Sequence, residues 1–144
     1  MEKIQVSQEK LAALFGVRLK VGAGMLIGGA IGVAIITIFS APQANVAVIG
    51  MMVAVGVIVG QAYAAQKAVK SGDYECFKAK CEKTSRALES CYVANNEILP
   101  GNKPLKRLDF AGKSDSLKAI NVGDEIGVMR AGKEFWAFSL EDVK

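Results

Sequence analysis

The chain has 144 residues, with 18 Lys and Arg against 14 Asp and Glu, no histidine, and an apolar fraction of 51%. Lack of histidine removes the commonest general base and metal ligand, which excludes Ser-His and Cys-His catalysis and mixed Cys/His zinc sites. The net charge of +4 would point to nucleic acid on a soluble chain, but here the cations flank an apolar block and read as a topology signal, so no nucleic-acid partner is expected.

Residues 1–20 begin polar and become amphipathic. Ser7 is placed to cap a helix and Glu9 falls in its first turn, where an acid complements the helix dipole. Leu11, Leu14, Phe15 and Leu19 recur at helical spacing on one face. The pattern predicts a short interfacial helix running into the next segment, with Arg18 and Lys20 snorkelling at headgroup level.

From Val21 to Ala65 there is no charged residue. An α-helix rises ~1.5 Å per residue, so about 20 apolar residues cross a ~30 Å hydrocarbon core. The block divides into 21–39 and 46–65, separated by the polar, proline-bearing stretch Ser40 to Asn45. That predicts a transmembrane hairpin over 21–66. Gly24, Gly28 and Gly32 recur every four residues in the first span, as do Gly56, Gly60 and Ala64 in the second. Such small-residue ridges let helix backbones approach closely in lipid. Folded about Ala44, the hairpin sets Gly32 level with Gly56, Gly28 with Gly60 and Gly24 with Ala64, so the two ridges are expected to face each other. Gly22, Gly29 and Gly50 leave further small faces, from which an oligomeric seam or holin-like pore is the competing arrangement. Neither span holds an ionisable residue, which argues against an autonomous transporter. Lys3, Lys10, Arg18 and Lys20 precede the hairpin, Lys67, Lys70 and Lys78 come after it, and its loop is uncharged. Both termini are therefore expected in the cytoplasm, with the hairpin in the inner membrane.

Ser71-Gly72-Asp73 breaks the second helix, and residues 71–144 predict a small all-β cytoplasmic domain. Residues 74–92 fit either helix or strand, and the turn-rich, alternating sequence beyond them favours strand. Asn95-Asn96 and Pro100-Gly101 mark turns, and Leu105 to Phe110 alternates apolar and charged residues. Gly123-Asp124 leads into a strand from Glu125 to Arg130, and Ala131-Gly132 returns the chain along Lys133 to Leu140. Five or six short strands make an SH3-like or OB-like barrel. The domain, at ~70 residues, is expected to fold without the hairpin. Gly72-Asp73-Tyr74, Phe77-Lys78-Ala79-Lys80, Tyr92-Val93 and above all Val122-Gly123-Asp124-Glu125 carry a resemblance over roughly the last half of the chain. It resembles small bacterial membrane proteins in which two spans precede a compact β domain. That resemblance implies the architecture and brings no activity, cofactor or site residue with it.

Little in the chain points to chemistry. Cys76, Cys81 and Cys91 lack a zinc-ligand spacing and are expected as reduced, buried thiols. The run GAGMLIGG is preceded by no strand and lacks the Gly-Lys-Ser/Thr ending of a phosphate loop. Two surface features remain. One is the basic cluster Lys103, Lys106 and Arg107, with Lys113 and Lys118 nearby. The other is the aromatic run Phe135, Trp136 and Phe138, two of whose rings are expected in the core and the third on the surface. The expectation is a non-enzymatic protein without cofactor or metal, whose glycine-rich hairpin anchors a protein-interaction domain. Its partners would be the bilayer and either its own copies or a larger membrane complex that it serves as a subunit.

Overall fold

The computed structural model describes residues 1–39, 42–99 and 101–144, with side chains for all of these except 42–45. Ser40 and Ala41 of the expected polar turn, and Pro100 of the Pro100-Gly101 turn, lie outside the described residues.

Two long helices dominate the first half. Ser7 accepts a hydrogen bond from the Lys10 backbone N–H and caps α1, Gln8–Ile38, with Glu9 in its first turn. Helix α2, Pro42–Ser71, starts on a proline, which suits a first turn whose N–H groups have no helical acceptor. It stops where Gly72 adopts φ +81°, and the Gly72 and Asp73 N–H groups bond back to the Val69 and Ala68 carbonyls. Each helix is ~45 Å long at 1.5 Å per residue. Both are long and apolar enough to cross a membrane, and only 6% of each apolar window is buried. A helix in the core of a soluble protein would be mostly covered.

The second half is a closed barrel of five strands. They are β2 (Glu75–Ser85), β3 (Ser90–Ala94), β4 (Leu105–Ala111), β5 (Glu125–Ala131) and β6 (Glu134–Phe138), with β1 (Glu2–Ile4) added from the N-terminus. Strand order around the barrel is β2-β3-β4-β6-β5, closed by β2 on β5. All pairings are antiparallel except β4 with β6. The long β2 makes closure possible, because it pairs β5 along Glu75–Lys80 and β3 from Cys81 onward. An irregularity between Cys81 and Lys83 bends it from one neighbour to the other. Gly123, at φ +97°, donates to the Cys81 carbonyl, while the Asp124 carboxylate accepts from the Asn121 N–H and fixes the turn into β5. Inside lie Cys81, Cys91, Val93, Leu108, Phe110, Ile126, Val128 and Ala137, and helix α3, Ser114–Ala119, adds Leu117. Within residues 74–92, β2 and the start of β3 flank a turn at 86–89, so the segment takes the strand alternative and not the helix. The six-residue α3 and a 3₁₀ turn at Leu140–Val143 were not expected in an all-β domain.

A second buried cluster joins barrel and helices. Leu11, Leu14 and Phe15 of α1 pack with Ala62, Ala65 and Val69 of α2 against Cys76, Met129, Trp136 and Phe138 on the outside of the barrel. The apolar face of residues 1–20 therefore covers the β domain. Residues 1–4 also belong to the sheet, with Glu2 opposite Lys78 and Ile4 opposite Cys76. Arg18 is turned to the barrel as well: its side chain is 14% exposed, it donates to the Phe110 carbonyl at 2.5 Å, and it lies 5.5 Å from the centre of the Trp136 ring. Trp136 in turn meets Phe15 edge-on at 5.3 Å. The helix ends are clamped by two glutamines, Gln8 donating to the Val69 carbonyl and Gln66 to the Ala12 carbonyl. The five barrel strands all lie within 71–144, and β1 and the barrel ends of both helices pack onto them.

Rotation of α1 is set by this docking. Leu11, Phe15, Arg18, Gly22 and Gly29 recur at steps of three, four and seven residues, so the face set against the barrel continues up the helix. The close approaches to α2 occur there. A Cβ on Gly22 would collide with Val59, and one on Gly29 would sit 2.8 Å from Met52 Cγ. Gly24, Gly28, Gly32, Gly56 and Gly60 have nothing within 4 Å of a Cβ position, and Ala64 is exposed. The two four-residue ridges do not face each other within the chain.

Candidate functional site

Most of the barrel's outer face on β5 and β6 is covered by helix, so a site for another molecule must lie elsewhere. Phe138 spreads over Gly127, where a Cβ would collide with its ring. Trp136 and Phe138 are buried and Phe135 is half-buried among the interior residues. Two of the three rings are thus in the interior, as expected of that run, and Phe135 is the one partly exposed.

The opposite side, β2-β3-β4, stays open. Cys91 and Val93 point inward, so the pleat turns Tyr92 outward between them. In register with Tyr92 are Lys83 on β2 and Arg107 on β4. The Lys83 ammonium sits 5.5 Å from the ring centre, and Arg107 is held 3.6 Å from Asp109. A tyrosine flanked on both neighbouring strands by cations is the result. Beside it runs a groove of about 780 Å³ lined by Tyr92, Asn95, Asn102, Lys103, Lys106 and Arg107. Lys106 shares the inward register of Leu108 and sits at the barrel rim, half-buried.

The loop that walls this groove is anchored. Asn95 donates through its side chain to the Gly101 carbonyl and through its backbone to Pro104 O at 3.0 Å. Asn96 accepts from the Ile98 N–H, and Leu99 is buried in the barrel. Held at both ends, the loop keeps Lys103 beside Tyr92. Lys113 and Lys118 do not join them, since Lys113 precedes α3 and Lys118 pairs with Asp115 at 3.1 Å. Sequence reasoning therefore found Lys103, Lys106 and Arg107 but missed Lys83, Tyr92 and Asn95. The Cys-Tyr-Val alternation would have turned Tyr92 outward, but pairing it with Lys83 required the register.

The thiols offer no competing site. Cys76, Cys81 and Cys91 are all free and buried, and burial pushes Cys76 and Cys91 up to about 12, so neither is a nucleophile at neutral pH. Among the described residues, no three Cys, Asp or Glu side chains gather into a metal-binding group.

Compared with protein-family models, with curated proteins and with solved structures, the chain matches none.

Proposed function

We propose that this is a non-enzymatic inner-membrane protein whose helical hairpin holds a small barrel at the cytoplasmic face, where the barrel binds an acidic segment of a partner protein. The observation that carries this reading is the outward row Lys83, Tyr92 and Arg107 beside the Lys103 and Lys106 groove. Cations around an exposed aromatic suit carboxylates lying along a chain, with the ring as an anchor. The location rests on the exposed apolar helices and on the cations at their barrel end. Of the two expected barrel types, the single parallel pair β4–β6 and the helix between β4 and β5 support OB-like over SH3-like. On that reading the groove occupies the β-strand face by which OB barrels hold extended ligands. Nucleic acid is less well served, because single-strand platforms stack successive bases and this face offers one ring. Headgroups are less well served too. The Ala94–Leu105 end of the β3–β4 pair, which forms the groove, is roughly 13 Å from the Ser90–Asp109 end near Arg18.

The test is binding of a fluorescent Glu/Asp-rich peptide to the full chain in nanodiscs. Tyr92→Ala should weaken it roughly tenfold, and Lys103→Glu should weaken it and flatten its salt dependence. Binding unchanged in both variants, or tighter binding of an oligothymidine, would remove this reading.

The outward glycines favour a second reading, self-association of hairpins in the membrane. Gly28→Leu should leave the single hairpin intact and lower the oligomer fraction in mild detergent. Gly22→Leu should damage the hairpin itself, by ~1–3 kcal/mol of overpacking against Val59. An oligomer fraction untouched by Gly28→Leu would leave those ridges facing lipid only.

A further inference from the structure

At the junction of hairpin and barrel, a small cleft of about 120 Å³ opens between the two helices. Its walls are apolar, formed by Met25 on α1 and by Val55, Ile58 and Val59 on α2, all inside the uncharged block. Its mouth carries two opposite charges, Arg18 and Glu89. Both are fixed in place. Arg18 is held by the Phe110 carbonyl and the Trp136 ring. Glu89 lies in the β2–β3 turn at φ +44°, a left-handed conformation that glycine adopts without the cost a Cβ brings. The turn nonetheless carries a carboxylate there, which accepts from Ser114 Oγ at 2.7 Å and lies 3.4 Å from Arg18. That ion pair is long, and the Glu89 side chain is 49% exposed, so the carboxylate has room for a second cation. Leu88 beside it is an exposed apolar side chain.

We infer that this cleft binds one aminophospholipid of the surrounding bilayer, with hydrocarbon between the helices, phosphate at Arg18 and the headgroup ammonium at Glu89. The inference rests on the membrane reading above. Charge complementarity selects the lipid. An anionic glycerol headgroup brings only neutral hydroxyl donors to the Glu89 carboxylate, and no cation. A choline headgroup is cationic but has no N–H to donate. A primary ammonium next to a phosphate gives both groups a charge-assisted partner at once. A lipid seated here would touch α1, α2 and the β2–β3 turn together, and so would brace the barrel against the hairpin.

The experiment is native mass spectrometry of the full chain, delipidated in detergent and offered phosphatidylethanolamine, phosphatidylcholine and phosphatidylglycerol with identical acyl chains. Retention of the ethanolamine lipid should exceed that of the other two roughly tenfold, the discrimination expected of one charged hydrogen bond. Glu89→Gln keeps an acceptor for Ser114 and should erase the preference over phosphatidylcholine. Loss of a merely structural contact would lower the melting temperature without changing headgroup selectivity. Ile58→Trp fills the cleft away from the barrel and should reduce retention of all three lipids. Equal retention of the three by the wild-type chain, or a preference that survives both substitutions, would overturn the site alone. Recovery of the chain in the soluble fraction without detergent would overturn the membrane reading and this site with it.

Discussion

Phe15→Ala is expected to free the barrel from the helices, at a cost of ~3–5 kcal/mol. Phe15 is fully buried, and its ring meets Trp136 edge-on in the middle of the cluster between α1 and the barrel. Removing it leaves a cavity that Leu11 and Leu14 cannot fill, because both are held by the same helix turns. It also uncovers Trp136, and Arg18 keeps its orientation partly through that ring. Trp136 is the only tryptophan in the chain, so its emission reports this junction directly. The expected result in mild detergent is a red-shifted emission maximum and a melting temperature lower by roughly 10 °C. Unshifted emission would mean that the helices do not cover Trp136.

The second large effect concerns residues 71–144 expressed alone. Those residues read as a complete domain in sequence, and the packing argues that they are not one. Without the helices the barrel would expose Cys76, Met129, Trp136 and Phe138 on one continuous face. It would also lose β1 from the edge of β2. A domain of ~70 residues has little stability to spare, and an exposed apolar face of this kind promotes association. The fragment is expected to bind a hydrophobic dye and to aggregate. Joining residues 1–20 to 62–144 through a short flexible linker restores β1, Leu11, Leu14, Phe15, Ala62, Ala65 and Val69. That chain should be monomeric and cooperative in melting. A well-folded monomer from 71–144 alone, free of dye binding, would show the helical cover to be dispensable.

Much of this was legible in residue order because it is local. Absence of charge from Val21 to Ala65 marks two helices that can satisfy their backbone without water. Turns at Gly123-Asp124 and Ala131-Gly132 are written in residues that accept positive φ, as the φ of +97° at Gly123 and +60° at Gly132 bear out. Alternation along Leu105 to Phe110 identifies a strand with one inward face. Helical spacing likewise identified Leu11, Leu14 and Phe15 as a face needing cover, but periodicity states that a side is apolar and not what covers it. Lipid and a barrel wall are equivalent to that pattern.

Only the tertiary structure decided the rest. β1 is three residues long, too short for any period to show, and it exists because β2 offers it an edge. The parallel pairing of β4 with β6 joins strands whose partnership no turn announces. Glycine spacing marked ridges on both helices, yet spacing is unchanged when a helix turns about its axis. Docking of Leu11, Phe15 and Arg18 on the barrel set that rotation, brought Gly22 to Val59 and Gly29 to Met52, and left Gly24, Gly28 and Gly32 facing outward. The candidate site obeyed the same rule. Lys83, Tyr92 and Arg107 are far apart in sequence and became neighbours through strand register alone, because cross-strand contact is a property of pairing and not of any one strand.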